Sequence, residues 1–591
     1  MASNLPAEVS TLEPHVPFRA TSAYKHHTWA KTYWSNPELY IRPESLEEIQ
    51  KVVTLARRCR RRLVLVGCGH SPSDLTCTSS WLVNLDNFNK ILNVDTNNKT
   101  MTVEGGIRLH AINTRAKEHG LTIPNLGSID EQSIVGAVAT ATHGSSMYHG
   151  LLSQAIRSLR IVLANGRAVR CSATQSPDLF RAALVSLGAL GIIVEVEFEM
   201  VPAGNIEWIQ TLQPLSYVVD NWSTTLWTSA EFTRVWWMPY MKRAIVWRAD
   251  KTDDPIRAPK SSWYGGSIGF HTYHNLLWLS NYVPWILPTV EWFVFGMQYG
   301  FSTGSYNSGV EEQRTGLLMD CLYSQFVNEW ALPISKGPEA IERLGAWING
   351  DESKARIPFS SKGLWVHCPI EVRISDTSRP ATYNASQPRP FLDNTCATEP
   401  TLYLNATLYR PYLQDPPCHK RYYEAFEWLM QDMGGKPHWA KNFAFTTREQ
   451  IEGMFGDNLE SWRRVRDSVD PEGLFVGDWL RRTVLPALKE EGGKAERLPL
   501  EEMEVDTKRN NKRNGGLLWF GQQQLKTAFR GSATDGAGDE KVPPSASSEE
   551  SFDVMHEAEA ETSTLLRSME SDDDEATVIA ARLCAHLVLS L

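Results

Sequence analysis

Val66-Gly67-Cys68-Gly69-His70-Ser71-Pro72 brings two glycines, a histidine and a serine into one short loop. Glycine lets backbone N–H groups approach a ligand closely and permits positive φ. Clustered N–H groups form an anion-binding concavity, and a histidine in such a loop can turn its ring toward the same ligand. A plain strand-to-loop turn uses the same residues, so this loop does not decide alone. A second small-residue region follows in Pro124-Asn125-Leu126-Gly127-Ser128 and Gly136 to Gly144, where Thr140, Thr142 and His143 stand beside the glycines. A long ligand lying along the backbone needs small side chains, and so does a tightly packed buried segment. Two such regions within about 80 residues, with hydroxyls beside the glycines, favour a phosphate-bearing cofactor. Neither is G-x-G-x-x-G or G-x-x-x-x-G-K-[ST], so the Rossmann and Walker readings fail.

Two further sets could do chemistry. Pro369 to Ile374 alternates as a strand, which puts Glu371 and Arg373 on one face and Ile370, Val372 and Ile374 on the other. Such a Glu/Arg neighbour pair is either a structural ion pair or a charged grip on a ligand. His438-Trp439-Ala440-Lys441 adds a histidine and a cation. The 15 histidines show no H-E-x-x-H spacing and the nine cysteines no C-x-x-C, so no metal site is expected.

The elements that must position these residues are legible in outline. Arg62 to Val66 reads as a short buried strand ending at the first glycine loop. Ahead of it a helix opens at Ser45 as N-cap, with Glu48 at capping-box spacing and Ile49, Val52, Val53 and Ala56 on one face. The basic run Arg57 to Arg62 suits a helix C-terminus; the alternative is contact with an anionic membrane surface. Strands are expected at Trp81–Leu85, Met101–Val103, Ile156–Leu163 and Val194–Phe198, and a helix from Leu109 to His119 with Gly120 at C′. Beyond residue 204 the texture changes. Trp208, Trp222, Trp227, Trp236 and Trp237 read as strand residues of an antiparallel sheet facing a cleft. Residues 261–290 carry no Asp, Glu, Lys or Arg, but interspersed His, Asn and Pro favour packed or interfacial helices over a membrane span.

The 591 residues suggest two or three domains, and 42 % hydrophobic content suits a globular core. A net charge of −10 argues against a nucleic-acid partner. Scattered, odd-numbered cysteines and the lack of a visible secretory signal indicate a reducing compartment.

The succession V-G-x-G-H-S, W-L-x-N-L-D-x-x-N-K, V-E-G-G, N-L-G-S, G-A-x-x-T-x-T-H-G and L-G-x-L-G resembles the FAD-binding domain of the vanillyl-alcohol-oxidase-type flavoproteins. Within that family the chain is most similar to the sugar-1,4-lactone oxidases, over roughly residues 25 to 485. The resemblance implies an α+β fold. An N-terminal arm (1–25), read as loose, would precede a PCMH-type FAD-binding domain (26–203). An α+β cap or substrate domain (204–485) would follow, its last part folding back, and then a low-complexity tail (486–591). It implies FAD bound covalently through His70, with His143 the next candidate for the link. Gly67, Cys68, Gly69, Ser71, Pro72, Gly127, Ser128, Gly136, Thr140, Thr142, His143, Gly144 and Ile193 would line the cofactor. Glycine rather than alanine at Gly127 implies an oxidase, because it gives oxygen access to the flavin. Glu371, Arg373 and Lys441 match the family's catalytic positions. The implied reaction is oxidation of an aldono-1,4-lactone at C2, the five-carbon arabinono-lactone favoured, by oxygen to an ene-diol lactone and hydrogen peroxide. The alternatives are a dehydrogenase passing electrons to a cytochrome or dye, and a non-catalytic membrane-associated scaffold. The implied partners are a sugar lactone and oxygen, with peripheral membrane contact through 261–300 and a mitochondrial membrane location.

Overall fold

The His70 loop begins where a parallel strand pair ends. Leu63–Val66 runs parallel to Trp81–Asn84, with Val66 opposite Asn84. The computed structural model describes residues 5–319, 321–367, 369–378 and 388–486, so the tail expected over 486–591 lies outside the described residues beyond its first position. These two strands belong to a four-stranded sheet in the order Ala20–Thr21, Leu39–Ile41, Trp81–Asn84, Leu63–Val66. A five-stranded antiparallel sheet follows, in the order Ala168–Ser172, Ile156–Val162, Ile192–Glu199, Thr100–Glu104, Ile91–Asp95. The helix Leu46–Arg58 buries Ile49, Val52, Val53 and Ala56 against both sheets. Ser45 caps it by accepting from the Glu48 amide at 3.2 Å. The expected reciprocal half of the capping box is not made. The Glu48 carboxylate accepts instead from the Glu44 amide at 3.0 Å and from Arg19 Nε at 3.2 Å.

Four arginines of the basic run ending this helix form ion pairs within the protein. Arg57 pairs with Glu472, Arg58 with Glu8, Arg61 with Glu38 and Arg62 with Asp478. The arm is not loose. It forms a helix, Leu5–Thr11, and the buried Lys51 ammonium donates to the carbonyls of Val9, Glu13 and Val16 at 3.2, 3.0 and 2.7 Å. A buried ammonium needs such acceptors, so Lys51 fixes the arm in place.

The strands between residues 205 and 437 build one eight-stranded antiparallel sheet. Its order is Tyr306–Glu312, Asn205–Pro214, Arg243–Thr252, Phe232–Met238, Ile370–Ser375, Thr401–Tyr409, Gln325–Pro333, Lys436–Pro437. Of the five tryptophans expected to face a cleft from strands, only Trp236 lines the pocket. Alternation sends Trp237 to the opposite face, where it packs under Gly345. Trp208 lies on a strand but packs against Gly309 and Gly316 and donates to Glu311 at 2.6 Å. Trp222 and Trp227 are not on strands: they follow the helix Leu215–Asp220 and meet edge to face at 5.2 Å. The uncharged stretch forms the helix Ser267–Ser280 and the start of a second, Leu287–Tyr299, which pack with residues of the sheet in one aromatic cluster. Among the described residues no helix is long and apolar enough to cross a membrane.

Candidate active site

Three constraints shape the glycine loop after Leu63–Val66. A Cβ on Gly67 would sit 2.3 Å from the Ser133 hydroxyl, and Gly69 holds φ +70, which L side chains rarely adopt. The Gly67 carbonyl accepts from Asn84 Nδ2 at 3.0 Å and the Gly69 carbonyl from the Trp29 amide at 2.7 Å. The far end of the loop is stitched to residues 440–442. Pro72 O accepts from Asn442 Nδ2 at 3.1 Å, and Ser73 Oγ donates to Ala440 O at 3.2 Å. His70 is thereby held against Trp29, ring centroids 5.0 Å apart. Burial, aided by Arg108 and Lys441, pushes the His70 imidazole down to about 3, so the ring is neutral. Its Nδ1 is buried with no hydrogen-bond partner. Burial pushes the neighbouring Cys68 thiol up, which keeps it un-ionised.

The facing wall is one cross-strand row of the large sheet. Trp236 stands opposite Glu371, Glu371 opposite Asn405, and Asn405 opposite Glu329. Opposed residues of antiparallel strands share a face, so all four side chains meet the same cavity. Arg373, two residues from Glu371, follows it there and donates to Glu371 Oε2 at 2.5 Å. Asn405 Nδ2 donates to the same oxygen at 3.2 Å. Glu371 Oε1 and Arg373 Nε are buried and unpartnered.

Glu329 ties this row to the glycine regions. Its side chain is 2 % exposed, with Lys441 Nζ 3.5 Å away and His143 Nε2 3.0 Å away. Burial opposes its ionisation, yet Lys441 and His143 hold the carboxyl well below the usual range. Burial likewise works against the Arg373 charge, but Glu371 and Glu329 outweigh it and push the guanidinium up. Burial pushes His438 down to about 3 against the pull of Glu329. Two imidazoles, two carboxylates (Glu329 and Glu371) and two cations (Arg373 and Lys441) therefore form a charge-compensated cluster in which His438 is neutral.

The cavity brings together Gly67, Cys68, Gly69, His70, Ser71, Pro72, Gly127, Ser128, Gly136, Thr140, Thr142, His143, Ile193, Glu371, Arg373 and Lys441. Gly144 is not among its lining residues. A Cβ there would strike Asn125 Oδ1 at 2.0 Å, so packing accounts for that glycine. The small-residue stretch is not extended backbone: Ile134–Ala139 is a short helix, followed by Ala141 at φ +62. His143 has both ring nitrogens engaged, one with Gly144 O at 2.8 Å and one with Glu329, and its ring stacks on Tyr403 at 3.4 Å. Neither nitrogen is free for a covalent bond, in contrast to His70.

Glu329, Asn405 and Trp29 were not found from sequence, whereas Trp236 was read there as facing a cleft. Glu329 had a usable signal, being the one charged residue in the strand Gln325–Pro333. His143, Glu329 and His438 bring ligand atoms within 4.8 Å of one another, the donor types of a divalent-metal site. Here Lys441 already serves as counter-cation to that carboxylate.

The lining fits FAD. Glycines 67, 69, 105, 106, 127 and 136 leave one wall without side chains, and a Cβ on Gly106 would sit 1.7 Å from Leu85 O. Buried polar atoms of His70, Gln132, Glu371 and Arg373 border the cavity without partners in the protein, and buried polar groups are rarely left so. Fold and cavity together define an FAD-binding flavoprotein. Family models agree: "FAD binding domain" matches residues 37–172 and "D-arabinono-1,4-lactone oxidase" residues 196–483. A Neurospora crassa relative is 51 % identical over 520 residues, 85 % of this chain and 92 % of its own. The Yarrowia lipolytica protein named D-arabinono-1,4-lactone oxidase is 40 % identical, covering 78 % of this chain and 98 % of its own. The chain belongs to the D-arabinono-1,4-lactone oxidase family. Its fold is also that of a cholesterol oxidase from B. sterolicum, with TM-score 0.66, 14 % identity, and coverage of 80 % of this chain and 99 % of that one.

Breaking one partner of a buried ion pair costs about 3–5 kcal/mol. Glu329→Gln should therefore lower the melting temperature of the FAD-loaded protein by several degrees in scanning fluorimetry. An unchanged melting temperature would show that the network is not structural.

Proposed function

We infer that the protein oxidises an aldono-1,4-lactone, D-arabinono-1,4-lactone favoured, at its C2 hydroxyl, using FAD and oxygen and releasing an ene-diol lactone and hydrogen peroxide. The observation that carries this reading is the buried Glu371–Arg373 pair, whose free Oε1 and Nε border the same cavity as His70. Two-electron chemistry is supplied by FAD when bound, which takes hydride and passes electrons to oxygen. The protein's own residues bind, orient and compensate charge. Glu371 Oε1 is available to accept hydrogen bonds from sugar hydroxyls and so align the substrate. Arg373 and Lys441 are fixed cations on the cavity wall, where they stabilise negative charge that develops during reaction. His70 Nδ1, neutral and unpartnered, is the atom we assign to the covalent flavin bond. Gly127 supports the oxidase reading: a Cβ there would only reach ordinary contact, 3.4 Å from Thr142 Cγ2, so its omission leaves open space beside the cavity.

The helices Ser267–Ser280 and Leu287–Tyr299 support peripheral membrane contact as a second proposal. Trp285 and Tyr282 between them are 66 % and 63 % exposed, with Ile268 and Trp278 also exposed, the residue types of an interfacial anchor. A mitochondrial location for that membrane rests on the resemblance.

Three measurements test these readings. Acid precipitation of wild-type protein should give a yellow pellet, and of His70→Ala a yellow supernatant; an adduct surviving the substitution would move the link elsewhere. Arg373→Ala should slow flavin reduction by the lactone about 100-fold or more in single-turnover mixing, and an unchanged rate would remove Arg373 from the chemistry. Trp285→Ser combined with Tyr282→Ser should abolish cosedimentation with phosphatidylcholine vesicles while leaving lactone turnover intact. Equal cosedimentation of variant and wild type would refute the membrane surface.

A further inference from the structure

A second cavity, about 370 Å³, lies along the large sheet from the active site. One wall is Ala331, two residues from Glu329 on the same face of its strand and paired with Lys436 and Tyr403. Arg181, Arg389 and Lys436 line it with one carboxylate, Asp393. That carboxylate is spent on Arg389, at 2.7 and 2.9 Å, and the remaining Arg389 donors go to Thr395 and to the Cys396 carbonyl. Arg181 uses Nε on the Arg389 carbonyl and lies over the Phe391 ring. Among the described residues Lys436 makes no side-chain hydrogen bond or close ion pair: its ammonium stands 4.9 Å from the centre of the Phe455 ring, and it feels Asp393 only at longer range, with Arg389 opposing. Asn394 is 1 % exposed, and while its Nδ2 faces the Pro437 carbonyl at 3.4 Å, its Oδ1 is buried without a partner.

The cavity thus presents an excess of positive charge, three cations against one carboxylate, and a buried bare acceptor. Both are costly to leave unmet. A ligand that satisfies both carries a negative charge for Lys436 and a hydroxyl to donate to Asn394 Oδ1. The wall that would hold it also positions catalytic residues. Asn394 touches Pro437, Leu392 O accepts from Trp439 Nε1 at 2.8 Å, and the same segment continues through His438 to Lys441.

We propose that this cavity is an effector site for a small hydroxylated monoanion, and that its occupancy shifts turnover through the 436–441 segment. Two sources share that chemistry: the ene-diolate that lactone oxidation yields, and the aldonate that lactone ring-opening yields. These identities rest on the function proposed above; the anion site itself does not.

The test is calorimetric titration of FAD-loaded protein with isoascorbate and, separately, with gluconate, sodium chloride being the control. Saturable binding of one anion is expected, identifying its source, with at least tenfold weakening in Lys436→Met and none in Glu371→Gln. At saturation the anion should change kcat and leave the KM for lactone within twofold. If Lys436→Met does not load FAD, Arg181→Gln on the cavity wall replaces it, with the same tenfold expectation. Absence of binding by both anions, binding that survives the cavity substitution, or loss of binding in Glu371→Gln would overturn the site. Binding without a change in kcat would overturn its effector role. Binding that meets the first criteria in a protein that oxidises no lactone would keep the site and refute the functional reading instead.

Discussion

Glu329 is the charge around which the active site has to assemble. A carboxylate 2 % exposed is tolerable only with cations and donors at contact distance, and here they come from separate parts of the chain. His143 arrives from the second small-residue region and Lys441 from the segment after the last short strand, while the Glu371–Arg373 pair acts electrostatically from two strands across the sheet. Because none of these charges is stable alone in the interior, satisfying them forces the glycine-lined wall and the sheet wall to face each other. The cavity between them is the space that this mutual compensation encloses.

Register does the remaining positioning. The row Trp236, Glu371, Asn405, Glu329 exists because four antiparallel strands keep those residues opposite one another. A slip of one residue on the Ile370–Ser375 strand would turn Glu371 and Arg373 into the apolar layer and bring Ile370, Val372 and Ile374 to the cavity. The apolar face thus enforces the polar one: burying three β-branched residues on one side fixes a carboxylate and a guanidinium on the other. The opposite wall is set by exclusion of side chains, as at Gly67 and Gly106, where a Cβ would collide with Ser133 and with Leu85 O.

What could be read from the sequence was local. The Leu46–Arg58 helix with its Ser45 cap, the strand before the His70 loop, and the shared face of Glu371 and Arg373 all follow from periodicity and capping rules that involve neighbours in the chain. What escaped depended on partners far away. Glu329 reads as one acid in an apolar strand until His143 and Lys441 are placed beside it. Trp222 and Trp227 share composition with strand residues but pack on each other after a helix. The Glu48 carboxylate has the spacing of a capping box and accepts instead from Arg19, 29 residues earlier. Gly144 matched a ligand-binding pattern and is explained by Asn125.

The cofactor loop is closed by the C-terminal end of the described residues. The Leu63 amide at the start of its strand donates to Leu474 O, Arg62 pairs with Asp478, and Asp74 just past the loop pairs with Arg482. Phe475, Gly477 and Leu480 complete the cavity wall. During synthesis, more than 400 residues must therefore emerge after the His70 loop before its pocket closes. Contacts of such sequence separation form late, so the nascent chain can have its flavin-facing strands in place while lacking a closed container. Flavin capture then waits for residues 474–482, and a chain truncated before residue 474 would leave this strand edge open for pairing with other chains.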